Sequence, residues 1–130
     1  MDLRIETNFV NKCIKKAYRD RLLFELHSAK KRPKAISRFA HQCEDILQNS
    51  YTRISMVNLQ SEISHKITAT DQCYIISDHV HDGETITLSN GIKYCKESYT
   101  PFILIASRFI IIKPETEIGE SEIYIFKNIV

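Results

Sequence analysis

The segment Asp78-His79-Val80-His81-Asp82-Gly83-Glu84 is the densest set of groups in the chain able to ligate a metal or move a proton. In extended backbone the two histidines, at i and i+2, project to the same side, and imidazoles beside carboxylates form zinc or iron sites when the geometry closes. The second Asp-His pair that the wider metallohydrolase pattern places just beyond is missing. Asp82-Gly83 is an ordinary turn dipeptide, and polar residues at the exit of a strand also describe a solvated loop. The loop reading outweighs the metal one, so neither a metal nor another cofactor is expected.

A nucleophile is no easier to find. Cys43 lies two residues from His41, but i and i+2 do not face each other on a helix, and Cys43 falls on an apolar stripe. Ser77 beside Asp78 lacks the strand-to-helix glycine setting that exposes a hydrolase serine. Gly83, Gly91 and Gly119 are isolated, which excludes a glycine-rich phosphate loop. The expectation is a protein that is not an enzyme.

Charge is more informative. Residues 1–50 hold 11 Lys/Arg against 6 Asp/Glu and residues 51–130 hold 7 against 10, so halves of +5 and −3 make up the net +2. A basic pole and an acidic pole are expected. The acidic one gathers Asp78, Asp82 and Glu84, with His79 and His81 in the same loop, and Glu115, Glu117, Glu120 and Glu122 around the Ile118-Gly119 turn. Crowded carboxylates repel one another, so a cationic partner gains by neutralising them, although such loops also serve solubility. The basic candidate is Lys30, Lys31, Arg32 and Lys34 around Pro33, with Arg38 one turn on. It would attract phosphate backbones in a salt-dependent way. A pI near 8.3 falls short of a dedicated nucleic-acid protein, and no helix-turn-helix or aromatic strand motif accompanies the patch.

At 130 residues the chain has the length of one domain and can bury roughly two thirds of its unfolded surface. Hydrophobic residues at 43% and charged residues at 26% are ordinary globular usage. Cys13, Cys43, Cys73 and Cys95 are spaced too widely for a zinc knuckle, and three of them begin or join apolar patterns, so free buried thiols in a reducing cytosol are expected. Asp2, Arg4 and Glu6 interrupt any signal-peptide core, and the apolar stretch Phe102 to Ile112 contains Arg108 and is about half a membrane span. The expected location is cytoplasmic, with no membrane partner.

These groups need a frame. Phe9, Val10, Cys13, Ile14, Ala17 and Tyr18 recur at helical spacing within Thr7 to His27, with a phase shift across Tyr18-Arg19-Asp20-Arg21 that fits a kink or a second helix. Pro33 suits a first helical turn, and Ile36, Phe39, Ala40, Cys43, Ile46 and Leu47 trace a face of more than three turns, ended at Asn49-Ser50. Beyond residue 50 the spacing turns to β-branched runs: Thr52 to Val57, Cys73 to Ser77, Phe102 to Ile105, Phe109 to Lys113 and Glu122 to Lys127. The third and fourth lack alternation, which predicts central strands covered on both faces. Ser89 is placed to cap a short helix presenting Ile92 and Cys95 and ended before Pro101. The class is α+β, a single domain of N-terminal helices packed on a mainly antiparallel sheet of about five strands.

In size, solubility and this mixed α+β layout, the chain resembles the small bacterial immunity proteins that neutralise polymorphic or contact-dependent toxins. The resemblance spans the architecture and carries no shared motif. It implies a non-catalytic cytosolic protein that occludes a cognate, basic, nuclease-type toxin domain, anchored by an aromatic side chain such as Tyr99 or Tyr124. The alternative is a nucleic-acid-associated or regulatory domain acting through Lys30, Lys31, Arg32, Lys34 and Arg38.

Overall fold

The computed structural model of the protein describes residues 1–63, 70–78, 80–115 and 121–127. Four helices come first: α1 (Leu3–Cys13), α2 (Lys16–Leu26), α3 (Arg32–Ser37) and α4 (Cys43–Ile46). Then follow β1 (Thr52–Ser55), a 3-10 turn (Met56–Asn58), α5 (Leu59–Ile63), β2 (Gln72–Ser77), β3 (Thr85–Thr87), α6 (Leu88–Glu97), β4 (Phe102–Ala106), β5 (Phe109–Lys113) and β6 (Glu122–Lys127). The strands form one antiparallel sheet in the order β1-β6-β5-β4-β2-β3. The α+β class with N-terminal helices is as the residue pattern predicts.

The pleat explains the strand sequences. Tyr74, Ile76, Ile103, Ile110, Ile112, Tyr124 and Phe126 face one side and pack with Phe9, Val10, Leu22, Ile36, Phe39 and Ile46 of the first four helices and their connections. Their neighbours Cys73, Ile75, Phe102, Leu104, Phe109, Ile111, Ile123 and Ile125 face the other side, against Leu59 and Ile63 of α5 and Leu88, Ile92 and Cys95 of α6. β4 and β5 are the middle pair, which is why Phe102–Ala106 and Phe109–Lys113 carry no polar alternation. Lys113 ends β5 almost wholly buried, and its ammonium donates to the carbonyls of Cys95 and Ser98 at the C-terminal end of α6. A cation there satisfies orphan carbonyls and complements the helix dipole.

Four local expectations change. The first helical region splits at Ile14-Lys15, where extended backbone lets Ile14 bridge Leu47, with Lys15 N–H donating to Ile46 and Gln48 N–H to Cys13. The face from Ile36 to Leu47 is not one long helix. It is α3 and α4 around a tight turn, in which Phe39 and Ala40 N–H groups reach back only three residues. Apolar spacing alone cannot separate these cases, because a bent chain of 3-10 turns keeps Phe39 and Cys43 inward too. Finally, a sixth strand, β3, pairs with β2 and is too short and polar to register as a run. Thr87 at its end, rather than Ser89, caps α6 by accepting from Asn90 N–H.

Two glycines are required by what surrounds them. Gly83 turns the β2–β3 hairpin at φ +77°, where a side chain is strained. Gly91 lies where α6 crosses the sheet, and a Cβ there would overlap Cys73 Sγ and sit 3.1 Å from Leu104 Cδ1. Helix interiors normally favour Ala over Gly, so the sign is reversed at this position. Gly91→Ala should destabilise the protein by about 1–3 kcal/mol in urea denaturation. Gly91→Ala with Cys73→Ala should cost clearly less than the two single costs added, because the second change removes the colliding sulfur.

Candidate functional site

Buried charge marks the first place to look. Glu6 follows the stripe of Phe9, Val10 and Cys13, Arg32 that of Ala35, Ile36 and Phe39, and Glu25 that of Leu22 and Leu26, so each helix carries a charge on its apolar face. Such a group must find a partner on folding. Arg32 Nη1 and Nη2 donate to the two Glu6 oxygens at 2.7 Å each, while Nε and Nη2 donate to Asp82 at 2.7 and 2.8 Å. Nη1 also reaches the Leu26 carbonyl at 3.0 Å. Glu6 accepts further from the Tyr74 hydroxyl at 2.6 Å, and Asp82 from Ser77 N–H at 3.1 Å. Burial works against the guanidinium charge, but the hydrogen bonds it donates to Asp82 and Glu6 outweigh it and the proton is held more tightly than usual.

This assembly revises two sequence expectations. Arg32 is 7% exposed with its donors engaged, so it presents nothing to a nucleic-acid phosphate. Asp82 turns inward and leaves the acidic surface. The basic and acidic halves of the chain are joined here rather than held as opposite poles. Arg38 is committed in part, donating through Nε and Nη2 to both oxygens of Glu25 at 2.7 and 2.9 Å, with Nη1 outside that pair. Lys30, Lys31 and Lys34 remain exposed, with the Lys31 ammonium 4.9 Å from the ring centre of Phe24.

The remaining acidic candidates share an address. Strand register places the C-terminal ends of β2 and β5 and the N-terminal ends of β4 and β6 together, since Ser77 faces Phe102, Phe102 faces Lys113 and Ile112 faces Tyr124. Asp78, Glu115 and Glu122 therefore emerge along one end of the sheet, with Glu84 in the hairpin loop at the same end. Their contacts are light. Asp78 accepts from the Thr100 hydroxyl at 2.6 Å, Glu115 meets His41 at 2.8 Å, and Glu84 meets His81 at 3.0 Å. Arg53 bridges Glu122 and Glu44, the second of which the sequence did not single out. His81 also stacks on Tyr94, with ring centres 4.7 Å apart. Val80 in the β2–β3 loop and Tyr99 in the connection into β4 are exposed at 80% and 77%. Tyr124 is 5% exposed, which takes it out of the anchoring role expected for it. His79, Glu117 and Glu120 lie outside the described residues.

Chemistry finds little footing among the described residues. No group of three potential metal ligands converges, and no helix is long and apolar enough to cross a membrane. The four cysteines are free and buried, and burial pushes their thiols up to about 12, which suppresses the thiolate. Cys43 Sγ donates to the Phe39 carbonyl while His41 turns to Glu115, so the two are not a catalytic pair.

Two measurements check the buried ion pairs. Arg32→Met leaves Glu6 and Asp82 facing no cation and should lower stability by about 3–5 kcal/mol. For Glu25, the hydrogen bond from Arg38 is the leading influence and lowers the carboxyl below its ordinary 4.5, with burial opposing and the charges of Arg38, Arg21 and Lys34 adding. A carboxyl lowered by folding stabilises above the unfolded value and loses that contribution as pH falls through the folded one. Wild-type stability should therefore fall more steeply than that of Glu25→Gln as acid is added below pH 4.5. Comparison with protein-family models, with curated proteins and with solved structures returns no match.

Proposed function

We propose that the protein is a non-catalytic binding protein of the toxin-immunity kind, which neutralises a basic, nuclease-type toxin domain by covering it. The observation that carries this reading is the end of the sheet that Asp78, Glu84, Glu115 and Glu122 share with exposed Val80 and Tyr99. Residues from distant parts of the chain reach that rim only through strand register. Apolar side chains exposed to this degree, framed by charge, have the composition of an interface: an aromatic anchor for affinity and a charged rim for steering.

The rim keeps a surplus of negative charge. Among the described residues, the Lys/Arg side chain in ion-pair contact with it is Arg53, which is shared with Glu44. Exposed pairs of this type are worth little and exchange readily for a partner's lysines and arginines. Asp82 supports the reading from inside, because its hold on Arg32 and Ser77 N–H fixes the loop that carries Val80. The nucleic-acid alternative retains Lys30, Lys31 and Lys34 and part of Arg38, but not Arg32.

Calorimetry with catalytically inactivated nuclease toxin domains from the same genome tests the reading. A cognate domain should bind at least tenfold more tightly at about 50 mM than at about 300 mM NaCl. Glu115→Lys with Glu122→Lys should weaken it by a further tenfold or more, and Tyr99→Ala should cost about 2 kcal/mol. Absence of any complex, or a complex indifferent to both variants, overturns the proposal. Salt-sensitive binding of labelled RNA or DNA that is lost when Lys30, Lys31 and Lys34 are reversed to Glu would transfer the function to the alternative.

A further inference from the structure

Away from the rim, α2 and the α3–α4 segment leave a cleft between them. Tyr18, Arg21 and Leu22 on α2 face Arg38, Gln42 and Ile46 of the α3–α4 segment around a space of about 190 Å³. Leu22 and Ile46 are buried and make an apolar floor, while Tyr18 is partly exposed at the wall. Enclosed apolar cavities of about 150 Å³ already accept a benzene ring. A six-membered ring with a short substituent therefore fits the dimensions of this cleft.

Its mouth is polar and electrically unbalanced. Two guanidinium groups, Arg21 and Arg38, share the single carboxylate of Glu25. Arg38 uses Nε and Nη2 for that pair, which leaves Nη1 outside it. Arg21 approaches Glu25 only at 3.8 Å, and its side chain is 66% exposed. Gln42 adds an amide able to donate beside them. One positive charge is thus left over at the edge of an apolar floor, and Lys34 adds to the positive field acting on Glu25.

We propose that this cleft binds a small monocarboxylate with an aromatic or compact apolar body, the body on Leu22 and Ile46 and the carboxylate on Arg21, Arg38 Nη1 and Gln42. A monoanion balances the surplus, whereas a neutral ring would leave the guanidinium unpaired and a cation would be repelled. Carboxylate and guanidinium hydrogen bonds are charge-assisted, so the donors select the anion rather than merely tolerating it. The site is independent of the carboxylate rim, and either can fail without the other.

Phenylacetate, phenylacetamide and phenethylamine are suitable probes, followed by heteronuclear NMR on the full chain. Phenylacetate should give saturable shifts at Tyr18 and the Gln42 side chain with a dissociation constant on the order of 1 mM. It should bind about fivefold more tightly than the amide, and the amine should bind least. Arg21→Ala, at an exposed position, should erase the preference for acid over amide, while Lys16→Ala should keep it. A tripeptide ending in phenylalanine with a free carboxylate, run beside phenylacetate, distinguishes a protein terminus from a free acid by which binds more tightly. No saturable shift, equal binding of acid and amide, or a preference that survives Arg21→Ala overturns the proposal.

Discussion

A single guanidinium does the joining in this molecule. Arg32 stands at the start of α3 and holds Glu6 of α1, the carbonyl that closes α2, and Asp82 of the β2–β3 hairpin. Through Glu6 it also holds the Tyr74 hydroxyl on β2. Helical layer and sheet are thereby tied to each other by directional bonds as well as by the apolar packing between them. Buried ion pairs add little net stability compared with a well-filled apolar site, but they admit few alternative arrangements. The loop displaying Val80 inherits its position from that restriction.

The four inner strands of the sheet are buried on both faces. Helices cover both sides, and the strands are filled with Ile, Leu and Phe to the middle of the sheet. The two proposed binding surfaces therefore lie where elements end or diverge: the rim of strand termini and the cleft between α2 and α3–α4. Both are built from side chains whose own contacts are partial, which is what distinguishes them from the saturated interior around Arg32.

How much of this could be read in advance depends on the range of the interaction concerned. β5 and β6 have the limits that their β-branched runs give them, and the unbroken hydrophobicity of Phe109 to Ile112 announced a covered central strand. The division of residues 32–47 was hidden, since 3-10 turns and an α-helix keep the same residues inward. Charges on the stripes of Glu6, Glu25 and Arg32 were visible signs of buried pairing, but the choice of Asp82, 50 residues from Arg32, belongs to the tertiary fold. The rim was half legible. Its carboxylates were visible in composition, whereas the separation of Tyr99 from Tyr124 into exposed and buried rings required the register of β6.

The sheet's margins matter as well. β1 and β3, at four and three residues, are its shortest strands and its outermost. The segments Phe102–Ala106 and 109–112, by contrast, have the uncharged, β-branched character of cross-β cores. Brief, threonine-bearing borders offer little template to another molecule's backbone. They act as gatekeepers, so that aggregation requires shedding a border strand first, and colloidal behaviour is governed by how firmly β1 and β3 stay docked.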